Sequence, residues 1–321
     1  MLSSRRHLVL ALLAASAASA FAAYPDRPVE WVVPYPAGGG ADVVARTLAE
    51  AMGKTLSQTL IINNKPGAAT NIGADYVAKA KPDGLVMLTA DTATLAANPW
   101  LYAKLPYKAE QDLAPVGLMA RFPMLLVVNP NVPVKTYQEF LAWAARQEQG
   151  VNYATPGAGS PHHLATELLR EKTRLKLMHI PYRGAAPAVQ DVIGGQVPFM
   201  FVDTAAGYPH ILSGKLRAIA VASPARIKTF AEVPTFAEQG LAGFEAYAWQ
   251  GLTVPAATPV PVIATLNKAL QEALNSTAVK ARFQVLGLEP LGGTPEQMRA
   301  YWKQEQAKWG QVIKAANIKL D

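Results

Sequence analysis

The sequence predicts an α/β protein of two lobes, each built on a mostly parallel, doubly wound sheet. Three observations carry this expectation. Short apolar runs alternate with segments whose apolar residues recur at helical spacing, the pattern of βα units. Three strand-to-helix junctions are bare turns rich in proline, glycine and alanine, at residues 34–40, 66–73 and 156–160. The chain has 321 residues, 50% of them hydrophobic, with no low-complexity linker and no short internal period, so two modest cores can be filled.

The first junction organises the others. Glu30-Trp31-Val32-Val33 reads as a buried strand, and Val43, Val44, Leu48 and Met52 mark one apolar face of a helix. Between them stands Pro34-Tyr35-Pro36-Ala37-Gly38-Gly39-Gly40-Ala41-Asp42. Proline ends the strand because it cannot donate to a ladder. The glycines allow a tight turn and leave amide N–H groups without side-chain cover. The helix start adds unpaired N–H groups and partial positive charge, so strand, turn and helix together make an anion seat. A plain tight turn is the alternative at any single junction, and repetition of the design favours the seat.

Residues 59–64 read as a second strand, running into Pro66-Gly67-Ala68-Ala69-Thr70-Asn71-Ile72-Gly73 and a helix through Ala80. Pro82-Asp83-Gly84 is a turn, and residues 85–90 are a third strand ending in Asp91-Thr92. All three loops lie at the carboxyl ends of strands, where open α/β sheets bind ligands. Strands follow at 113–119 and 123–128, then a helix over 137–147 with Tyr137, Phe140, Leu141 and Ala144 on one face. The device returns as strand 151–155, the turn Pro156-Gly157-Ala158-Gly159-Ser160, and a helix opened by Pro161. Strands at 176–182, 197–203 and 216–222 accompany a helix over 186–193. A strand at 248–254 leads to helices over 262–274, 278–286 and 295–315, with no strand expected between the last two. That helical tail is expected to pack on the first lobe. The expected division is a signal segment 1–22, one lobe from 23–121 plus 250–321, and a second lobe over 122–249. The crossings then fall near Phe122 and Trp249.

The chain opens as an export signal: the basic Ser4-Arg5-Arg6-His7, an apolar run over 8–13, then Ala18-Ser19-Ala20 and Ala20-Phe21-Ala22, which fit small-x-small cleavage. Arg5-Arg6 also fits the twin-arginine route. A membrane anchor is the alternative, but the apolar run is too short to span a bilayer. The expectation is a soluble periplasmic product. There are 0 cysteines, which excludes thiolate catalysis and cysteine-ligated metal and leaves stability to a conventional core. Arg5 and Arg6 account for two of the 30 basic residues, leaving 28 against 23 acidic ones and a formal +5. These charges are scattered without the basic stripe of a nucleic-acid binder, so no nucleic-acid partner is expected.

No reactive constellation emerges. Ser160 beside His162 and His163 invites a hydrolase reading, but the nucleophile elbow G-x-S-x-G is absent. The five histidines show no metal-ligand spacing, and no metal or cofactor is expected. Gly53-Lys54-Thr55 has the end of a phosphate loop, but Leu48 stands where that loop needs glycine. Gly157 and Gly159 lack the third glycine of the dinucleotide fingerprint. Three bare turns over two lobes suit a cleft that closes on a small anion and does no chemistry on it.

The residues also resemble a known family. Arg27-Pro28-Val29, the stretch over 33–42, Pro66-Gly67-Ala68-Ala69-Thr70-Asn71-Ile72-Gly73 and Pro82-Asp83-Gly84 are similar to the Bug family, the TctC-type extracytoplasmic solute receptors of tripartite tricarboxylate transporters. Gly159-Ser160-Pro161-His162-His163-Leu164, Pro181-Tyr182-Arg183-Gly184 and Gly214-Lys215-Leu216-Arg217-Ala218 extend the match over the whole mature chain. The resemblance implies a Venus-flytrap periplasmic binding protein, monomeric, with no enzymatic activity. It would hold a small organic carboxylate between its lobes and engage membrane transporter subunits transiently. By matching position, Tyr35, Ala37, Gly38 and Gly39 would cradle one carboxylate with Gly67, Ala68, Ala69 and Asn71. Gly159 and Ser160 would approach from the second lobe, with Thr155 and His163 nearby. The distal end of the ligand would face Asp203 and the Asp91-Thr92 loop. An exported serine hydrolase using Ser160 and a flytrap sensor subunit are the alternatives.

Overall fold

The computed structural model describes residues 24–320. The expected signal segment lies outside them. Among the described residues no helix is long and apolar enough to cross a membrane.

The first half begins with strand β1 (Val29–Val33), helix α1 (Gly40–Leu56), β2 (Leu60–Asn64), α2 (Asn71–Ala78) and β3 (Val86–Asp91). β1 pairs in parallel with β2 on one side and β3 on the other, the arrangement that two βα units produce. α1 buries Val44, Ala45, Leu48 and Met52 against the sheet, while Val43 stays half-buried. It ends at Ser57 in the left-handed region, whose N–H reaches the Gly53 carbonyl.

Two long strands then join the halves. β4 (Leu113–Val128) is one strand of 16 residues where two were expected. Over Leu113–Pro123 it runs antiparallel to β9 (Tyr247–Pro255). From Met124 it pairs with β7 (Phe199–Asp203) and from Leu125 with β8 (Arg217–Val221). Its prolines fit because Pro115 lies at a register shift and Pro123 at the change of partners, positions that tolerate a missing N–H. β3 closes the first sheet antiparallel to β9. Beyond β7 the second sheet continues in parallel through β5 (Val151–Thr155) to β6 (Leu177–Pro181). Parallel pairing thus belongs to the βα units, and antiparallel pairing to the strands that run between halves. The result is the two-lobed α/β flytrap architecture.

The remaining longer helices are α3 (Tyr137–Ala145), α4 (Pro161–Thr173), α5 (Ala185–Ile193), α6 (Thr204–Leu212), α7 (Val260–Asn275), α8 (Thr277–Val285) and α9 (Pro295–Ala315). α3 starts with a capping box between Thr136 and Glu139 and buries Tyr137, Phe140 and Ala144. The expected absence of a strand between the last two helices is corrected by β10 (Glu289–Gly292), which pairs with the Leu118–Arg121 part of β4. The tail helix α9 packs on the first lobe as expected, and it extends beyond it. It packs on residues 92–97 and on β4, and reaches α4 in the second half. Trp302 and Trp309 carry it into a core shared with Trp249, Leu164, Tyr153 and Phe140. One buried cluster therefore runs across the junction, flanked by a separate core in each half.

Candidate functional site

The turn after β1 is fastened to its own helix. Gly38, at φ +82°, donates its N–H to Asp42 Oδ2 at 2.8 Å, and Arg46 Nε donates to the same oxygen at 2.9 Å. Asn64, at the end of β2, donates to Asp42 Oδ1 at 2.9 Å and to the Tyr35 carbonyl at 3.0 Å. Burial alone would raise the Asp42 carboxyl, but the bonds from Arg46, Gly38 and Asn64 outweigh it and hold it below the usual range. The expectation of an open Gly38 amide is therefore corrected, since Asp42 already occupies it. The N–H groups of Ala37, Gly39 and Gly40 find no acceptor among the described residues, and Ala37 and Gly39 are exposed.

The second loop is bent by backbone strain. Gly67 has φ +126°, and Ala68, Ala69 and Thr70 follow at +44°, +49° and +78°. Left-handed backbone costs non-glycine residues roughly 1–2 kcal/mol each, so three in a row require outside support. Asn98 supplies it, donating to the Ala69 carbonyl at 2.7 Å and to Asn71 Oδ1 at 2.8 Å. The Thr70 and Thr94 hydroxyls pair at 2.9 Å, with Thr94 Oγ1 accepting because its own proton goes to Asp91, and the Tyr107 hydroxyl reaches Asn71 Oδ1 at 3.3 Å. The strained turn leaves the Ala68 and Ala69 N–H groups without acceptors among the described residues. Asn71 is 5% exposed and its side-chain oxygen is spent on this scaffold.

Asp91 and Thr92 are also support. Asp91 Oδ2 accepts from the Tyr35 hydroxyl, while Oδ1 accepts from Thr94 N at 2.9 Å and Thr94 Oγ1 at 2.7 Å. Burial raises both Asp91 and Tyr35, the latter further through its carboxylate partner. Thr92 Oγ1 accepts from the Trp249 N–H at 3.1 Å. Both were expected at the distal end of a ligand. Instead, Asp91 fixes the Tyr35 ring and Thr92 ties residues 92–97 to β9.

In the second half, Gly159 (φ +75°) donates its N–H to His163 Nδ1 at 3.1 Å. Ser160 caps α4 by accepting from His163 N at 3.3 Å, and its own N–H goes to the Gly157 carbonyl at 3.3 Å. Thr155 Oγ1 accepts from Gly157 N at 3.2 Å and meets His179 Nε2 at 2.6 Å. The His163 and His179 rings stack with centroids 3.9 Å apart. Burial, then the neighbouring His179, pushes His163 down to about 3, and burial pushes His179 down to about 4. Both are neutral scaffold at ordinary pH, His163 buried and His179 half-buried. The expected Gly159 amide and the His163 ring thus satisfy each other, and Thr155 serves the turn. Ser160 Oγ has a backbone partner and no imidazole, which leaves the hydrolase reading without its base.

Asp203 caps α6 through Ala206 N at 2.9 Å and faces His162 Nε2 at 3.2 Å. Burial opposes its ionisation, but His162 and the Ala206 and Ala205 amides keep its carboxyl below the ordinary range. Asp203, expected to face the distal end of a ligand, is thus a carboxylate hydrogen-bonded to its own helix start and to His162. The halves meet around these groups. A Cβ on Gly40 would lie 3.3 Å from Phe122 Cε1, 3.5 Å from Ala205 Cβ and 3.8 Å from Asp203 Oδ1. One on Gly159 would lie 2.5 Å from Leu101 Cδ1 and 3.1 Å from Leu320 Cδ1. Among the described residues no group of three or more His, Cys, Asp or Glu side chains could hold a metal ion.

Sequence reasoning missed Asp42, Asn64, Thr94, Asn98 and Tyr107. Thr94 and Asn98 did leave a trace: polar residues one helical turn apart within an otherwise apolar stretch.

Comparison with known proteins agrees with this arrangement. Residues 44–318 match the model of the tripartite tricarboxylate transporter family receptor. The periplasmic binding protein BugD has a solved structure that is 36% identical, covers 92% of this chain and all of its own, and superposes at a TM-score of 0.85. R. palustris Rpa4515, solved with adipate, is 32% identical over 92% of this chain and all of its own, at a TM-score of 0.88. MatC from Rhodopseudomonas palustris, solved with malate, is 33% identical over 90% of this chain and all of its own, at 0.82. BugD is described as a periplasmic binding protein, and the matched family as a transporter receptor. With its fold and most of its length matched, the chain belongs to the tripartite tricarboxylate transporter receptor family.

Proposed function

We propose that this protein is a periplasmic receptor that captures a small organic carboxylate between its halves and delivers it to the membrane subunits of a tripartite transporter. The observation that carries this reading is the set of open N–H groups on Ala37, Gly39, Gly40, Ala68 and Ala69, at the carboxyl ends of adjacent strands. Hydrogen bonds to a charged group contribute roughly 1.5–3 kcal/mol each, so a few amides can hold a carboxylate without a basic side chain. Gly67 gives the second loop its approach, and Tyr35 walls the first. Ser160 would add its hydroxyl proton from the other half. Relatives solved with adipate and malate support a dicarboxylate or hydroxydicarboxylate.

In this reading residues 1–22 direct export, and the protein works as a monomer that meets its membrane partners transiently. The lobes, 23–121 with 250–321 and 122–249, hinge where β4 leaves β9. The ligand favours closure only through contacts it gains on closing.

A thermal-shift panel of dicarboxylates, hydroxy acids and amino acids, adipate and malate included, tests the reading. A ligand at 100 times its Kd should add about 2.7 kcal/mol of stability, a rise of several degrees. Stabilisation by carboxylates and not by their amides is expected. A flat panel, or turnover of ester substrates, would contradict it.

A further inference from the structure

We infer that Asp42, held by Arg46 and Asn64, is the positioning residue of the first seat: its carboxylate takes the Gly38 amide out of the donor set and thereby fixes the Gly39 and Gly40 amides toward the cleft. The inference rests on the carboxylate reading above, and it adds a residue that need not touch ligand.

Geometry is the first ground. In helix terms Gly39 is the N-cap of α1, Gly38 stands just before it, and Asp42 is the third helical residue. The N-cap has no side chain to bond the helix start, so Asp42 reaches back over Gly39 to the amide before it. Gly38 is open to solvent, with nothing within 4 Å of a built Cβ, so no packing holds its backbone in place. The second ground is that the other half repeats the device. Ser160 is the N-cap of α4, Gly159 precedes it at nearly the same φ, and His163, again the third helical residue, accepts the Gly159 N–H. Two unrelated side-chain chemistries at one position, making the same bond, point to the bond itself as the shared requirement.

Charge alone argues the other way. Asp42 is 3% exposed and places a negative charge beside an anion seat. Arg46 and Asn64 offset that charge, so the seat can keep an anionic fastener without repelling its ligand.

The two roles predict opposite signs. If Asp42 were only a nearby charge, Asp42→Ala would free Arg46 and tighten anion binding. As a positioning residue, Asp42→Ala should weaken binding of malate or adipate by about tenfold or more in a variant that circular dichroism shows to be folded. Asp42→Asn, which keeps one oxygen to accept the Gly38 N–H, should recover part of the loss. A second readout needs no ligand. In the 15N-labelled full-length mature protein, the Gly38 amide should exchange slowly and its shift should follow the Asp42 carboxyl at a midpoint below that of an ordinary aspartate. In Asp42→Ala it should exchange as fast as its open neighbour Ala37. Tighter binding by Asp42→Ala, or a Gly38 amide already in fast exchange in the parent protein, would overturn the inference. Should neither acid bind the parent protein, that result counts against the carboxylate reading, and the exchange and titration decide the role of Asp42.

Discussion

The turn over residues 34–42 and the turn over 155–163 fasten their glycines in the same way, yet they offer a ligand very different surfaces. In the first, Asp42 takes one amide and leaves those of Ala37, Gly39 and Gly40 without acceptors among the described residues. In the second, Thr155 takes the Gly157 amide, His163 takes that of Gly159, the Gly157 carbonyl takes that of Ser160, and Pro161 has none to give. The Gly38 position is open, whereas the Gly159 position is pressed against Leu101 and Leu320. The same local design therefore serves docking in one half and closure in the other. A ligand should settle on the first half, and the second should close over it with the Ser160 hydroxyl and the Ala158 amide.

The strongest way to break this contrast is Gly39→Val. Gly39 has φ −77°, and a Cβ there meets nothing nearer than the Pro36 carbonyl oxygen at 3.6 Å, so the fold should tolerate it. The side chain would fill the seat, and carboxylate affinity should fall about 100-fold, or roughly 2.7 kcal/mol. Calorimetric titration showing full affinity in a folded variant would remove the first seat from consideration.

The paired glycines sharpen the contrast. Gly38→Ala should cost only the left-handed strain, about 1–2 kcal/mol. Gly159→Ala adds a clash at 2.5 Å with Leu101 Cδ1 and should cost about 1–3 kcal/mol more. Adding Leu101→Ala to Gly159→Ala should relieve part of that excess, and strict additivity of the two in denaturant melts would deny the contact.

Acid should expose the scaffold of the second turn. His163 and His179 stay neutral down to about 3 and 4 when folded, against 6.5 ordinarily. Between those limits the unfolded chain binds protons that the folded one refuses, so stability falls as pH drops from about 6.5 toward 4. His163→Asn keeps an acceptor for Gly159 and removes one titrating group. Its stability should therefore fall less steeply over that window, and equal slopes would mean that His163 does not titrate as described.

The smallest effect concerns Ser160. Ser160→Ala loses the cap of α4 and a hydroxyl donor, about 1 kcal/mol in stability and about 1 kcal/mol in ligand affinity. Ser160→Gly should recover most of the stability but none of the affinity. Recovery of both would make Ser160 purely a cap.

Much of this was legible in the sequence because it is written in local patterns. Prolines and glycines marked the turns, apolar spacing marked α1 and α3, and Pro161 marked the start of α4. The family resemblance supplied the loops that meet. What escaped was long-range. Pro115 and Pro123 split β4 on paper, but a register shift and a change of partner let the strand continue through both. β10 is short, and its apolar spacing is too sparse to announce a strand without its partner β4. α6 was hidden by Gly207 and Pro209 inside it. At the site, residue type correctly marked the loops but not the direction of their bonds. Asn71, Asp91, Thr92, Thr155 and His163 look like polar groups waiting for a ligand, and their partners Asn98, Tyr35, Trp249, Gly157 and Gly159 become visible only in the fold.

The central claim is that open backbone amides of the first half hold the carboxylate. Amide-resolved NMR titration of the 15N-labelled protein with malate and with adipate tests it most directly. Saturable downfield shifts at Gly39, Gly40, Ala68 and Ala69, with a smaller response at Ala158, are the predicted result. Saturable binding that leaves those four amides unmoved would contradict it.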